Sequence, residues 1–155
     1  MKIEHIAIWS NDIERLKEFY SHYFHTQTSE KYFNPKKNFQ SYFLSFENGC
    51  RLELMQMPGI PDSHHDPRVQ FMGLIHIAIS VGSKEAVDKL TEQLRKDGFE
   101  IVGEPRTTGT AIMKALSLIP MAIESKSLFN EFLPDLTCLI SILSSACIMP
   151  PLETK

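Results

Sequence analysis

The sequence predicts an α+β fold built from paired β-α-β-β-β modules, the second of them incomplete. Three observations predict it: a repeated tetrapeptide, an amphipathic helix behind each copy, and a run of strand candidates behind the first helix. His5-Ile6-Ala7-Ile8 near the start returns as His76-Ile77-Ala78-Ile79. An internal repeat is read before anything else, because it says that one structural unit occurs twice. The segments KIEHIAIWS and GLIHIAISV both alternate in the manner of strands, and each leads through a short polar turn into a helical pattern.

In the first module Asn11 is the expected helix cap, with Glu14 three residues on as its capping-box partner. Ile13, Leu16, Tyr20 and Tyr23 recur at helical spacing and predict one buried face. Three strands are expected next, at Thr26–Tyr32, Phe39–Phe46 and Cys50–Met57, the last two joined through the Asn48-Gly49 turn signal. Residues 1–57 therefore form the first module. Residues 58–70, rich in Pro, Asp and Ser, form a connecting loop.

The second module starts over residues 71–109 as β-α-β. Ser83 is the candidate cap and Glu85 favours the positive end of the helix; Ala86, Val87, Leu90 and Leu94 form the stripe, and Gly98 can close the helix in the left-handed region. Phe99–Val102 reads as the next strand and Gly103–Gly109 as a turn-rich loop. Beyond Thr110 the two-fold alternation stops, so residues 110–155 form an atypical tail. The run Leu136–Met149 is too short for an ordinary membrane span and reads locally as a buried helix ended by Pro150-Pro151.

Composition bounds the function. A chain of 155 residues, 43% hydrophobic and 23% charged, suits one globular domain, and a net charge of −3 supplies no basic field for phosphates. The expected partner is a small-molecule substrate, with no nucleic acid and no membrane. The N-terminus lacks the apolar run of a signal peptide, so a cytoplasmic location is expected. Cys50, Cys138 and Cys147 have no metal-site spacing and read as reduced thiols.

Period-two alternation places His5 with Ile3, Ala7 and Trp9, and His76 with Leu74, Ala78 and Ser80, both on apolar faces. Taken singly, an inward imidazole is more often a satisfied core residue than a ligand. Matching positions in duplicated modules change that weighting, because pairing of the modules about a pseudo-two-fold axis would bring the two together. Glu53, flanked by leucines on a strand, is exposed, paired or metal-bound, since a bare buried carboxylate is costly. Two imidazoles and a carboxylate suit Zn, Ni or Fe(II). His64-His65-Asp66 lies on a loop without preorganisation, and His22 and His25 sit at a helix end where the dipole accounts for them.

The His-Ile-Ala-Ile start, the helix carrying Phe19-Tyr20, the Arg-Leu-Glu-Leu strand and the second His-Ile-Ala-Ile resemble the glyoxalase/bleomycin resistance/extradiol dioxygenase superfamily, also called vicinal oxygen chelate proteins, over roughly residues 1–108. The resemblance implies paired βαβββ modules around a metal and substrate cleft, often completed by dimerisation, so a homodimer is expected. It implies His5, Glu53 and His76 as ligands of a divalent metal. It also implies a glyoxalase I-like lyase or isomerase acting on a small oxygen-chelating substrate. Alternatives within the family are a drug-resistance type of protein that sequesters its ligand without catalysis and an extradiol-type dioxygenase.

The family closes its second module with a strand resembling Asp-Pro-Asp-Gly-Asn-Arg-Ile-Glu, whose glutamate is the fourth ligand and, in the isomerases, a candidate general base. This chain has Ile119-Pro120-Met121-Ala122-Ile123-Glu124-Ser125-Lys126 there, with Glu124 outside the pattern. Regrouping the codons of Ala111 to Ser127 one base earlier forces Glu across Met113/Lys114, Gly across Met121/Ala122 and Arg across Ile123/Glu124. Every other regrouped codon permits Gly-Tyr-Tyr-Glu-Ser-Val-Val-x-Asp-Pro-Asp-Gly-Asn-Arg-Ile-Glu-Ile. The tail is thus expected to be an out-of-frame translation. Nucleotide sequencing across these codons is the check: the expected outcome is that the alternative frame spells this motif, and a gene that does not spell it ends the frameshift reading.

Overall fold

The computed structural model of the chain describes residues 1–62, 72–74, 76–107, 113–118 and 139–143. The chain divides into two compact units. The first unit contains β1 (His5–Trp9), α1 (Ile13–Phe24), β2 (Gln27–Thr28), β3 (Tyr32–Asn34), β4 (Phe39–Ser45) and β5 (Arg51–Gln56). Its sheet runs β1-β5-β4-β2, with β3 also paired to β4. β1 and β5 are parallel, while β4 is antiparallel to β5, β2 and β3.

Alternation decides which face of this sheet is the core. Ile8, Leu52, Leu54, Tyr42 and Leu44 are buried on one face, where α1 covers β4 and β5 with Ile13, Leu16, Phe19 and Tyr20. Leu44, Leu54 and Ile13 are fully buried, and truncating such a leucine to alanine costs about 2–5 kcal/mol. His5, Ala7 and Trp9 point to the other, more open face. His5 and its neighbours therefore occupy no apolar core, which corrects the expectation drawn from Ile3, Ala7 and Trp9.

The helix begins one residue later than expected. Asp12, not Asn11, is the cap, its side chain accepting from the Arg15 amide at 3.0 Å. This frees Glu14 from a capping-box role. Its carboxylate instead accepts from Lys17 at 2.5 Å, Lys31 at 2.9 Å and the Tyr42 hydroxyl at 2.8 Å, tying the first turn of α1 to the sheet. At the far end His25 adopts the left-handed conformation that stops the helix.

The single strand expected at Thr26–Tyr32 is two short ones. Between them Ser29 accepts the Phe43 amide on its hydroxyl at 3.0 Å and donates that hydroxyl to the Glu30 carbonyl at 2.9 Å. A side chain that competes with the ladder in this way interrupts it. Gly49 carries the positive φ of 97° that the turn into β5 requires.

The second unit contains β6 (Ile77–Ser80), α2 (Lys84–Lys96), β7 (Ile101–Thr107), β8 (Met113–Leu118) and β9 (Leu139–Leu143), with sheet order β6-β9-β8-β7. Ser83 caps α2 through the Ala86 amide at 3.1 Å, and Val87, Thr91 and Leu94 are its buried residues. Gly98 at φ 86° and the Phe99 amide on the Leu94 carbonyl at 2.9 Å close it, as expected.

β7 runs through what was expected as a loop. Register shifts on either side of Gly103 accommodate Gly103 and Pro105 as bulges, so the strand survives a residue with no amide to donate. β9 is parallel to β6 and antiparallel to β8, the same connectivity as β5 with β1 and β4. The second module is thus closed by strands of the tail, although it has four strands against the first module's five among the described residues. Residues 139–143 form a strand where a helix was expected. In a short apolar run periodicity does not separate the two, and the β-branched Ile140 and Ile142 favour the strand. His64, His65, Asp66, Glu124, Cys138 and Cys147 lie outside the described residues.

The Glu14 cluster generates a pH dependence. Hydrogen bonds from Lys17 and then Lys31 hold its carboxyl at about 2, below its ordinary 4.5. A depressed folded pKa contributes stability that is complete above about 4.5 and is lost as pH falls through about 2. Glu14 is half exposed, so screening limits the contribution to about 0.5–1 kcal/mol. Chemical denaturation of Glu14→Gln against the parent chain should show that gap at neutral pH and its disappearance near pH 2; a gap independent of pH would assign the loss to packing.

Candidate metal centre

The parallel pairing of β1 with β5 sets Ala7 beside Glu53 and His5 beside Arg51, on the face opposite α1. β4 then sets Phe43 beside Glu53 from the other side. His5 Nε2 lies 3.7 Å from Glu53 Oε2, and the Glu53 side chain is 15% exposed against 40% for His5. The solvated strand face that sequence allows for Glu53 is therefore not where it sits.

The imidazole is held from its other nitrogen. Glu4 Oε2 accepts from His5 Nδ1, and Glu4 Oε1 accepts from Arg51 Nε at 2.8 Å. The hydrogen bond from His5, and after it that from Arg51, draws the Glu4 carboxyl below its usual range. The Arg51 guanidinium lies 4.2 Å from the centroid of the Phe43 ring, and Phe43 meets the His5 ring edge-on at 5.5 Å. Glu4 and Phe43 thus touch the imidazole, and Arg51 braces both of them.

A carboxylate only accepts, so Nδ1 carries the proton and Nε2 turns its lone pair toward Glu53. Two acceptors facing each other at 3.7 Å make no hydrogen bond. The pair is reconciled by a proton on Nε2 or by a cation between the two atoms. Two ligands each about 2 Å from a common metal are separated by about 3–4 Å, so this pair fits a divalent ion. A histidine whose second nitrogen is fixed by a carboxylate is also the usual arrangement of a ligating imidazole.

His76 lies in the second unit, exposed and one residue ahead of β6. The structure joins His5 with Glu53; among the described residues no group of three His, Cys, Asp or Glu is close enough to hold an ion. In the second sheet Ala78 pairs with Ser141, as Ala7 pairs with Glu53 in the first. The register position matching Glu53 therefore carries Ser141. Sequence reasoning missed Glu4, Arg51 and Phe43. The signal for Arg51 was available, since it stands two residues before Glu53 and shares its face.

Residues 2–117 match the model of the Glyoxalase/Bleomycin resistance protein/Dioxygenase superfamily. The chain belongs to this superfamily. A Bacillus subtilis relative, the uncharacterized protein YwkD, is 32% identical over 98 residues, which cover 63% of this chain and 73% of the relative. Among solved structures, the trypanothione-dependent glyoxalase I of Leishmania major is similar at TM-score 0.66 and 21% identity, covering 93% of this chain and 86% of that one. A Zea mays glyoxalase I mutant matches at TM-score 0.65 and 18% identity over 94% of this chain, which spans 45% of the maize chain. The fosfomycin resistance protein FosX of Listeria monocytogenes, solved with Mn(II) and sulfate, matches at 0.61 and 16% identity, covering 94% and 93%. These likenesses establish the superfamily's fold, an α+β arrangement of βαβββ modules.

The Glu4 contact makes a measurable statement about His5. In alkaline solution without metal, ¹⁵N shifts of the His5 ring should report the Nδ1-protonated tautomer, and Glu4→Ala should move the population toward Nε2–H. An unchanged tautomer ratio would mean that Glu4 does not orient the ring.

Proposed function

We propose that this superfamily member is a metal-dependent glyoxalase-like lyase or isomerase for a small oxygen-chelating substrate, with His5, Glu53 and His76 holding the ion. The observation that carries the proposal is the facing pair of His5 Nε2 and Glu53 Oε2 at 3.7 Å, with Nδ1 already committed to Glu4. Zn, Ni and Fe(II) all accept this ligand set. When bound, such a cation supplies Lewis acidity to neighbouring substrate oxygens and acidifies the adjacent C–H. His5 contributes a neutral nitrogen held in one orientation, Glu53 contributes the negative charge, and Phe43 packs edge-on against the His5 ring. The general base is the weak point. With a serine at residue 141, the chain as written has no carboxylate at the register position matching Glu53, so low turnover is expected.

That same serine favours a second reading, a protein that sequesters its ligand without chemistry. A homodimer belongs to the proposal as the resemblance implied it, and so does a cytoplasmic location. Among the described residues no helix is long and apolar enough to cross a membrane.

Elemental analysis of the purified protein distinguishes the readings. Near-stoichiometric transition metal is expected, falling by about tenfold or more in His76→Ala and in Glu53→Ala with the fold intact by circular dichroism, because loss of a ligand costs at least what loss of its supporting contacts does. Metal content unchanged by His76→Ala would remove that residue from the site. No metal in the parent protein would leave the sequestering reading.

A further inference from the structure

We infer that the Asn48-Gly49 turn is a modification site, at which the folded chain converts Asn48 into isoaspartate and aspartate by spontaneous deamidation, without an enzyme. The turn joins β4 to β5, and Glu47, Asn48 and Gly49 are all exposed. Among the described residues neither the Asn48 carboxamide nor the Gly49 amide has a hydrogen-bond partner. A Cβ placed on Gly49 would meet nothing within 4 Å, so no neighbour crowds the bond between the two residues. Both reacting groups are therefore solvated and unheld.

After base removes its proton, the Gly49 nitrogen attacks Cγ of Asn48. The N–Cγ bond forms, the Cγ–Nδ2 bond breaks, ammonia leaves with a proton from solvent, and a succinimide ring remains. Water then opens the ring. Cleavage of the N–Cγ bond gives aspartate, whereas cleavage of the bond to the main-chain carbonyl carbon gives isoaspartate, whose backbone runs through Cβ and Cγ. Water is consumed, ammonia is released, and nothing is oxidised or reduced. Glycine favours closure because it has no side chain to block the approach and few backbone angles are closed to it. Elsewhere the same chemistry is held off. Asn34 precedes Pro35, whose nitrogen has no proton to lose. Asp97-Gly98 could close the same ring by losing water, but the Gly98 amide donates to the Arg95 carbonyl at 3.2 Å and the Asp97 carboxylate accepts from Gln93 at 2.8 Å. The end of α2 thus engages both groups that the β4–β5 turn leaves free. Each conversion adds one negative charge to a chain of net charge −3. The extra backbone atom of isoaspartate falls outside the ladder, whose pair nearest the turn is Leu44 with Leu52.

Peptide mapping by mass spectrometry, on full-length protein aged in mildly alkaline buffer, tests this. The expected result is a gain of one mass unit at Asn48 ahead of Asn11, Asn34 and Asn38, faster at higher pH, with the isoaspartyl linkage identified by electron-transfer fragmentation. In the native protein the rate at Asn48 should lie within about threefold of that in the guanidinium-unfolded chain, because no local opening has to precede attack. Isoaspartate at residue 97 should form in the unfolded chain and not in the native one. Asn48→Gln, which would have to close a larger ring, should stay unmodified at that position. An Asn48 that persists in the native protein while reacting in the unfolded chain overturns the inference, because the fold would then protect the turn. Equal reaction at residue 97 in the two states overturns it as well, since hydrogen bonding of the amide would then not decide which site reacts.

Discussion

The rest of the first unit depends on parallel pairing between its first strand and its last. β1 and β5 are separated by a helix and three further strands, yet they lie side by side with Ala7 against Glu53. Parallel neighbours need a long connection, and here that connection is the rest of the module. Because side chains alternate, this one register sends Ile8, Leu52 and Leu54 under α1 and leaves His5, Glu53 and Arg51 together on the other face. A slip of one residue would exchange the two sets, burying the ionisable groups beneath the helix. The hydrophobic demand of the core is therefore what brings the two candidate ligands into line.

Much of this was legible in the primary structure, and what was missed has physical causes. The repeat of His-Ile-Ala-Ile located β1 and β6, Phe39–Phe46 and Cys50–Met57 located β4 and β5 to within a residue at each end, and Ser83 and Gly98 bounded α2 closely. Asn11 and Asp12 are both good caps, and propensity alone does not choose between neighbours; the structure chooses Asp12. The break at Ser29 depends on a hydroxyl that reaches the Phe43 amide, a contact between residues distant in sequence. β7 was cut short because Gly103 and Pro105 signal turns locally, whereas pairing with β8 carries the strand through them as bulges. The apolar character of Leu139–Leu143 was visible but its period was not.

For the site, residue types were easier to find than their company. His5 and Glu53 emerged from repetition and from the cost of a buried charge, and the structure adds that they face one another. Glu4 was passed over because adjacent residues on a strand point to opposite faces, and its part in holding His5 depends on its lying just ahead of β1, where that alternation no longer binds. The weakness at the second module was visible as a missing motif. In the structure the strand beside β6 is β9, parallel to it, with Ser141 opposite Ala78.

The first sheet takes all its strands from one uninterrupted stretch ending at Gln56, whereas the second draws its last from Leu139–Leu143. During synthesis an N-terminal unit folds before the remainder has left the ribosome. His5 and Glu53 both lie on strands of that stretch, so the pairing that aligns them is available before β9 is made. The order of synthesis thus commits the facing pair of His5 and Glu53 first and leaves the strand that completes the second sheet for last.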